Sequence, residues 1–168
     1  ISGVENGVVI ANGQGAMVKD NFIHNMFNAD ADPHYDGVAA QGSSSNITIQ
    51  GNWISGDGVT IQGVFITTEF GAADNILITG NYVADCTFNL IVGTGVTNAT
   101  VTNNTLKRGS FGFYNFNAAV MTISGNVSTR GYYIDGDAVP IVGNVAFTPS
   151  VVMANSDLNN NCGFRVIC

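Results

Sequence analysis

The sequence has little charge, and least of all positive charge. Only 10% of its 168 residues are charged, and five Lys and Arg stand against twelve Asp and Glu, for a formal net charge of −7. Proteins bind nucleic acid through clustered Lys and Arg, so no nucleic-acid partner is expected. The same excess of negative charge makes a neutral glycan a better ligand than a polyanionic one.

Long hydrophobic runs and helical periodicity are also missing. No apolar run approaches the ~18 residues of a membrane-spanning helix, so no membrane is expected among the partners. No stretch shows sustained apolar residues at helical spacing, and the 21 glycines interrupt the chain throughout. The length suits one domain with a full core. The chain starts with "ISGVENGVVI", without an initiator methionine or signal peptide, so we expect a fragment excised from a longer protein.

Cysteine is scarce as well. Cys86 lies in the apolar stretch "NYVADCTFNL" and is predicted to be a small buried hydrophobic residue. Cys162 and Cys168 bracket "GFRVI", a spacing that allows an intrachain loop, interchain bridges or free thiols. An intrachain disulfide would suit an extracellular protein or a virion.

A short phrase recurs along the chain. It is a strand of alternating apolar residues, then Gly-Asn or Asn-Asn, then another apolar residue, as in "NITIQGNWI" and "NILITGNYV". Alternation of period two indicates a β-strand, and Gly-Asn indicates a sharp bend with a residue that tolerates left-handed φ. The asparagines that end the phrase lie 18 to 31 residues apart, at Asn21, Asn52, Asn81, Asn104, Asn126 and Asn144.

Between these phrases lies a second set of strand-like segments, led by Gly or Asn and rich in β-branched and aromatic residues. They cover residues 6–13, 36–43, 63–70, 88–95, 112–119 and 131–138. Repeats of about 20–30 residues with two or three short strands predict an all-β fold, a parallel β-solenoid of about six turns. The recurring asparagines would stack at one bend and hydrogen-bond along the column. An antiparallel β-sandwich is the alternative, but no two-residue hairpin connection is repeated.

The two ends of such a solenoid bear on its partners. We expect the solenoid to span residues 1–147, and residues 148–168, which depart from the repeat, to form a C-terminal cap or a partner contact. Unpaired strand edges at the ends of a solenoid invite association, so a homo-oligomer or a larger assembly is expected.

The "NITIQGNWI" phrase and its asparagine column resemble the right-handed parallel β-helix repeat of the pectate-lyase-like superfamily. "HYDGVAAQG", "GFYNF" and "SGNV" are similar to segments of β-helix proteins from bacteria and their phages. The resemblance covers about residues 6–147 and implies the fold more firmly than the activity. Members of the superfamily include polysaccharide lyases, epimerases, glycosidases and phage tailspikes.

The acidic stretch "DADPHYDG" is the first candidate site. Asp32, Pro33 and His34 resemble a catalytic motif of mannuronan epimerases, in which His34 would abstract a proton and Tyr35 would donate one from the opposite face. Tyr35 and Asp36 do not stand where that family places its tyrosine. The nearest cation in sequence, Lys19, is about one turn away, although proton abstraction beside a carboxylate needs a neighbouring positive group.

Three further interpretations of this stretch stay open. A glycosidase would need two carboxylates, which Asp36, Glu69 and Asp135 could supply. Calcium could bind through Asp30, Asp32 and Asp36, which are oxygen donors at alternate spacings. The stretch could also be an acidic turn before a strand, with Asp36-Gly37 at the bend. Apart from calcium, no metal or cofactor is expected. If the protein is an enzyme, Asp32, His34 and Asp36 are the candidate catalytic residues.

The second set of strands predicts a binding face. If Val38, Ile66, Leu90, Phe113 and Ile134 point inward, alternation turns their neighbours outward. Exposed aromatic rings beside amides and carboxylates suit a sugar, whose apolar face stacks and whose hydroxyls hydrogen-bond. Burial against another subunit is the alternative. The predicted ligand-binding residues are Tyr35, Gln41, Phe65, Glu69, Tyr114, Tyr133 and Asp135.

These observations favour a β-helix module displayed on a virion or cell surface, of the phage spike, fibre or capsid-decoration type. It would bind a cell-surface glycan or a structural partner without chemically converting it. The alternative is a polysaccharide lyase, epimerase or glycosidase that acts on bacterial or algal polysaccharide.

Overall fold

The computed structural model shows a chain wound into successive turns of short parallel strands. The structure describes residues 1–27, 35–57, 61–116, 121–130, 132–135, 141–146, 151–154 and 164–166. Each turn contributes one strand to each of three sheets, and every strand pairs in parallel with its counterparts in the neighbouring turns. The predicted parallel β-solenoid is confirmed.

The described strands form three parallel sheets. The first contains Val8–Ala11 (β1), Tyr35–Gln41 (β4), Ile61–Ile66 (β7), Phe88–Val92 (β10), Phe111–Phe116 (β13), Tyr132–Asp135 (β16) and Val151–Ala154 (β19). The second contains Met17–Lys19 (β2), Ser44–Gln50 (β5), Ala73–Thr79 (β8), Thr97–Thr102 (β11), Met121–Ser124 (β14) and Ile141–Val142 (β17). The third contains Phe22–Ile23 (β3), Trp53–Ser55 (β6), Tyr82–Ala84 (β9), Thr105–Lys107 (β12), Val127–Ser128 (β15), Asn144–Ala146 (β18) and Phe164–Val166 (β20).

The number of turns differs from the prediction of about six. Four turns are described from their first strand to their third without a break, and they begin at β1, β4, β7 and β10. The strands that follow extend the same sheets, with gaps in the description between them. Two of these strands, β19 and β20, lie within the predicted C-terminal cap. The predicted boundary at residue 147 and both Cys162 and Cys168 lie outside the described residues, so those predictions are untested.

The core follows directly from the alternation of the strands. In β5, Ile47 and Ile49 are buried, and their partners in β8, Ile76 and Ile78, are buried in register with them. Side chains at alternate positions of a strand point to opposite faces, so Thr48 between the two isoleucines faces outward. Stacking of turns therefore produces continuous columns of apolar side chains in the interior.

The asparagine column is present and forms an unbroken chain of hydrogen bonds. The side-chain amide of each asparagine donates to the side-chain oxygen of the next, over distances of 2.8–3.0 Å. The same oxygen also accepts the backbone N–H of the preceding asparagine. The second amide proton is donated to a backbone carbonyl in the preceding turn, such as Val18 O for Asn52. The members are Asn21, Asn52, Asn81, Asn104, Asn126 and Asn144.

The residue before each of these asparagines explains why the phrase contains Gly-Asn or Asn-Asn. Every one of these residues has a positive φ, between 55° and 66°. Glycine adopts this conformation without strain, and Asn and Asp are the other residues that tolerate it best. The positions are Asp20, Gly51, Gly80, Asn103, Gly125 and Gly143.

Cys86 is buried, as predicted, and its thiol donates to Ala84 O at 3.3 Å. Burial raises the pKa of this thiol well above its usual range, because the thiolate would lose its hydration. Within the described ranges, no helix has the length and apolar character needed to cross a membrane.

We predict that Asn81→Ala lowers the free energy of unfolding by about 1–3 kcal/mol, because Asn52 and Asn104 each lose a buried partner. The control is Thr122→Ala, at an exposed strand position, which should change stability by less than about 0.5 kcal/mol. Urea denaturation followed by circular dichroism measures both. Equal stability of the two variants would contradict the role of the asparagine column.

Candidate binding surface

The outer face of the first sheet is shaped by glycines that face the interior. A Cβ at Gly37 would overlap Ile54 Cγ2, and a Cβ at Gly63 would overlap Val83 Cγ1 and lie 2.5 Å from Asn89 O. Gly37 and Gly63 stand opposite each other between the pairs Asp36–Gln62 and Val38–Val64, and in each strand the glycine and the valine after it both face the interior. Side chains before and after the glycine therefore belong to two separate outer rows.

Two outer rows cross the first sheet along the solenoid axis. The first row, before the glycines, contains Asp36, Gln62, Phe88 and Phe111 in register. The second row, after them, contains Ala39, Phe65, Ile91, Tyr114 and Tyr133 in register. Neighbouring strands are about 4.8 Å apart, so adjacent side chains in a row are in contact range.

Three aromatic side chains of these rows form one cluster, which we call the aromatic platform. Phe88 and Phe111 stack, with ring centroids 4.8 Å apart and an interplanar angle of 9°. Tyr114 meets both edge-on, at 5.5 Å from Phe88 and 5.9 Å from Phe111. Phe111 is 45% exposed, while Phe88 and Tyr114 are half-buried. The platform thus offers ring surface to solvent in a fixed arrangement.

A polar pair adjoins the platform in the first outer row. With its amide nitrogen directed at the two oxygens, Gln62 donates to Asp36 Oδ1 at 2.8 Å and to Tyr35 O at 3.1 Å. The backbone N–H of Asp36 donates to Asn6 Oδ1 at 3.0 Å. Asp36 is only 9% exposed. Gln62 holds its carboxylate in place, and Asn6 holds its backbone. Because Gln62 is also the register partner of Phe88, the Asp36–Gln62 pair is directly next to the platform.

The predicted inward residues are placed as expected where the structure describes their side chains. Val38, Ile66, Leu90 and Phe113 are all buried in the core. Ile134 lies in β16, in the row that continues from Ile66.

The predicted outward face is only partly open. Ala39 and Ile91 belong to the second outer row, yet they are buried. Gln41 and Phe65 are half-buried, and Glu69 is exposed in the connection that follows β7. The row continues into β16, where Tyr133 pairs with Tyr114 and Asp135 follows two residues later.

Tyr35 does not fit the predicted ligand-binding set. It is 1% exposed and belongs to the hydrophobic core. Its position follows from Gly37, because Gly37 and Val38 both face the interior and this break in the alternation turns Tyr35 inward as well. The ring of Tyr35 is therefore not presented on the outer surface.

Most of the acidic cluster lies outside the described residues. Asp30, Asp32 and His34 belong to the part of the chain that the structure does not describe, so their predicted catalytic and calcium-binding roles are untested. Only Asp36 of this cluster is placed. Lys19 lies in β2 of the second sheet, and its Nζ is 3.9 Å from Oδ2 of Asp20. No group of three or more His, Cys, Asp or Glu that could hold a metal occurs among the described residues.

Sequence reasoning missed Phe88, Phe111 and Gln62. The signal was available, since "FNL" and "FGF" both place a phenylalanine two residues before an inward residue, Leu90 or Phe113. Simple alternation would turn a residue at that spacing inward, but Asn89 and Gly112, which follow the two phenylalanines, are themselves buried, so the phenylalanines face out.

The fold and the sequence agree with a known family. A family model described as a right-handed β-helix region matches residues 6–168. The chain belongs to the right-handed β-helix family. Searches of curated proteins and of solved structures give no significant match. The predicted membership of a right-handed β-helix family is confirmed.

We predict that Phe88 and Phe111 in the aromatic platform of this β-helix protein stabilise each other. Combining Phe88→Ala with Phe111→Ala in a double-mutant cycle should give a coupling of about 0.5–1.5 kcal/mol in unfolding free energy, as stacked aromatic pairs do. The matched control pairs Phe111→Ala with Thr122→Ala, which lies on another sheet and should show additivity. Additive effects of Phe88→Ala and Phe111→Ala would mean that the platform is not preformed.

Proposed function

We propose that this right-handed β-helix is a surface-displayed module that binds a glycan on the outer face of its first sheet. The observation that carries the proposal is the aromatic platform directly beside the Asp36–Gln62 pair. The module belongs to a virion or cell-surface assembly, of the phage spike, fibre or decoration type, and works as a homo-oligomer or with other subunits.

The platform suits the apolar face of a sugar ring. Aromatic side chains combine a large apolar area with a fixed geometry, and their stacking or edge-on contacts add to the binding energy. Phe88, Phe111 and Tyr114 brace one another, so little conformational freedom is lost when a ligand lies on them. A preformed ring surface of this kind needs no rearrangement on binding.

The Asp36–Gln62 pair supplies orientation. A carboxylate accepts hydrogen bonds from hydroxyl groups, and hydrogen bonds to a charged group are stronger than neutral ones. Gln62 holds one oxygen of Asp36, and the backbone of Asp36 is anchored by Asn6. The acceptor is therefore positioned before the ligand arrives, which is how a few polar groups fix the orientation of a ligand on an apolar surface.

Charge favours a neutral glycan. The chain has a net charge of −7, and Arg108 is engaged in an ion pair with Asp85. A buried carboxylate beside the platform would repel a uronate placed on the rings.

Further contacts with the glycan are proposed along the same face of the first sheet. They are Gln41, Phe65 and Glu69, together with Tyr133 and Asp135 in β16.

The second candidate function is a polysaccharide lyase, epimerase or glycosidase. The position of Asp36 favours it, since this buried carboxylate directly follows the stretch with Asp32 and His34 and adjoins the platform. In such an enzyme, His34 would act as the base, and Asp32 and Asp36 would hold the substrate. Calcium binding through Asp30, Asp32 and Asp36 is a separate proposal for the same stretch.

We predict that Tyr114→Ala weakens binding of a neutral polysaccharide by about tenfold, because one of the three rings of the platform is lost. Titration calorimetry on a panel of neutral and acidic polysaccharides measures it, with Thr122→Ala on the second sheet as the matched control. Undiminished affinity in Tyr114→Ala would contradict a binding site on the first sheet.

We predict that the wild-type protein binds polysaccharide without turnover. His34→Ala should therefore have the same activity as the wild type, which is none. Incubation with alginate, pectin and bacterial capsule, followed by assays for new reducing ends and unsaturated products, tests this directly. Activity in the wild type that disappears in His34→Ala would establish the enzymatic alternative.

A further inference from the structure

The outer face of the third sheet carries a second line of aromatic rings, on a different sheet from the platform. Phe22, Trp53 and Tyr82 occupy the same position in β3, β6 and β9 and are in register. The ring centroid of Trp53 lies 4.5 Å from that of Tyr82 and 6.0 Å from that of Phe22. His24 stacks on Phe22 at 4.1 Å. We call these four side chains the aromatic strip.

The strip faces solvent because of the alternation of the short strands. The residue after each ring, which is Ile23, Ile54 or Val83, is fully buried in the core. The rings therefore point away from the interior. Phe22 and Trp53 are 54% and 52% exposed, so the strip presents adjacent aromatic surface to solvent.

We propose that the aromatic strip is a second carbohydrate-binding site, which holds a neutral saccharide chain along the solenoid axis. It shares no residue with the site on the first sheet and uses a different sheet, so the two proposals stand or fall separately. The strip runs over three successive turns, so a chain lying along it meets a ring at each turn.

The surroundings of the strip fit a saccharide better than a protein. The strip is two side chains wide at Phe22, where His24 lies beside it, and one side chain wide at Trp53 and Tyr82. Polar residues adjoin it in the sequence, with Lys19 and Asp20 before Phe22. On the other side, Ser55 donates to Asp57 Oδ1 at 2.9 Å. In the next turn the row continues with Thr105 instead of an aromatic residue. A stable protein interface needs about 20–30 residues on each side, far more than this narrow line supplies.

Polar flanks beside exposed rings match what a sugar offers. The apolar face of each sugar lies on a ring, and the hydroxyls at its edge meet hydroxyl, ammonium and carboxylate groups. Lys19 and Asp20 carry opposite charges and neutralise each other locally, and the carboxylate of Asp57 on the other side disfavours an anionic ligand.

Trp53 is the only tryptophan of the chain, so its emission reports on the strip alone. The experiment titrates the full chain with neutral hexasaccharides, namely cellohexaose, maltohexaose and mannohexaose, and follows Trp53 fluorescence. We expect a saturable change with at least one of them. Phe22→Ala and Tyr82→Ala, which keep the reporter, should weaken that binding by about tenfold.

The control is Tyr114→Ala, which should leave the Trp53 titration unchanged while it weakens binding at the first sheet. Thermal unfolding of each variant verifies folding, and Tyr82→Phe keeps a ring at the strip and should bind within about twofold of the wild type. Absence of a saturable change with all three hexasaccharides overturns the proposal. So does a titration that Tyr114→Ala abolishes, or Trp53 emission that varies with protein concentration, which would indicate a second copy on the strip.

Discussion

The hydrogen-bonded column of asparagine side chains is the constraint on which the rest of the structure depends. From Asn52 to Asn144 each side-chain amide of the column is buried, so every donor and acceptor on it must find a partner, and the next turn supplies one only if it stacks in register. The repeats differ in length by more than ten residues, yet the register of all three sheets is kept. The difference is taken up largely in the connections from the third sheet to the first, the longest covering residues 24–34 and a short one residues 85–87.

A fixed register turns a one-dimensional pattern into surfaces. A residue that recurs at the same place in the repeat becomes a row along the axis, with neighbours about 4.8 Å apart. Aromatic residues in such rows are therefore brought into contact although they lie 23 to 31 residues apart in sequence, as Phe88 and Phe111 do on one sheet and Trp53 and Tyr82 on another. The platform and the strip both follow from this arrangement, and the buried carboxylate of Asp36 distinguishes the first from the second.

The sequence predicted the interior better than the surface. The asparagine column and the burial of Val38 and Leu90 could be predicted because they depend on local alternation and on a bend that repeats. The burial of Tyr35 could not, since it depends on a break in the alternation of β4, where Gly37 and Val38 both face the interior. The strip was missed for another reason: strands of two or three residues, such as Phe22–Ile23, are too short to show a period. The acidic stretch with Asp32 and His34 lies outside the described residues, so its role rests on the sequence.

The central claim is that buried, mutually hydrogen-bonded asparagines hold the turns in register. Hydrogen exchange of the side-chain amides, followed by nitrogen-15 NMR, tests it most directly. The amide protons of Asn52, Asn81 and Asn104 should exchange slowly, like the backbone amides of the core, because exchange requires separation of the turns. The exposed side-chain amide of Asn12 should exchange quickly in the same spectra. Exchange of the column asparagines as fast as that of Asn12 would contradict the account.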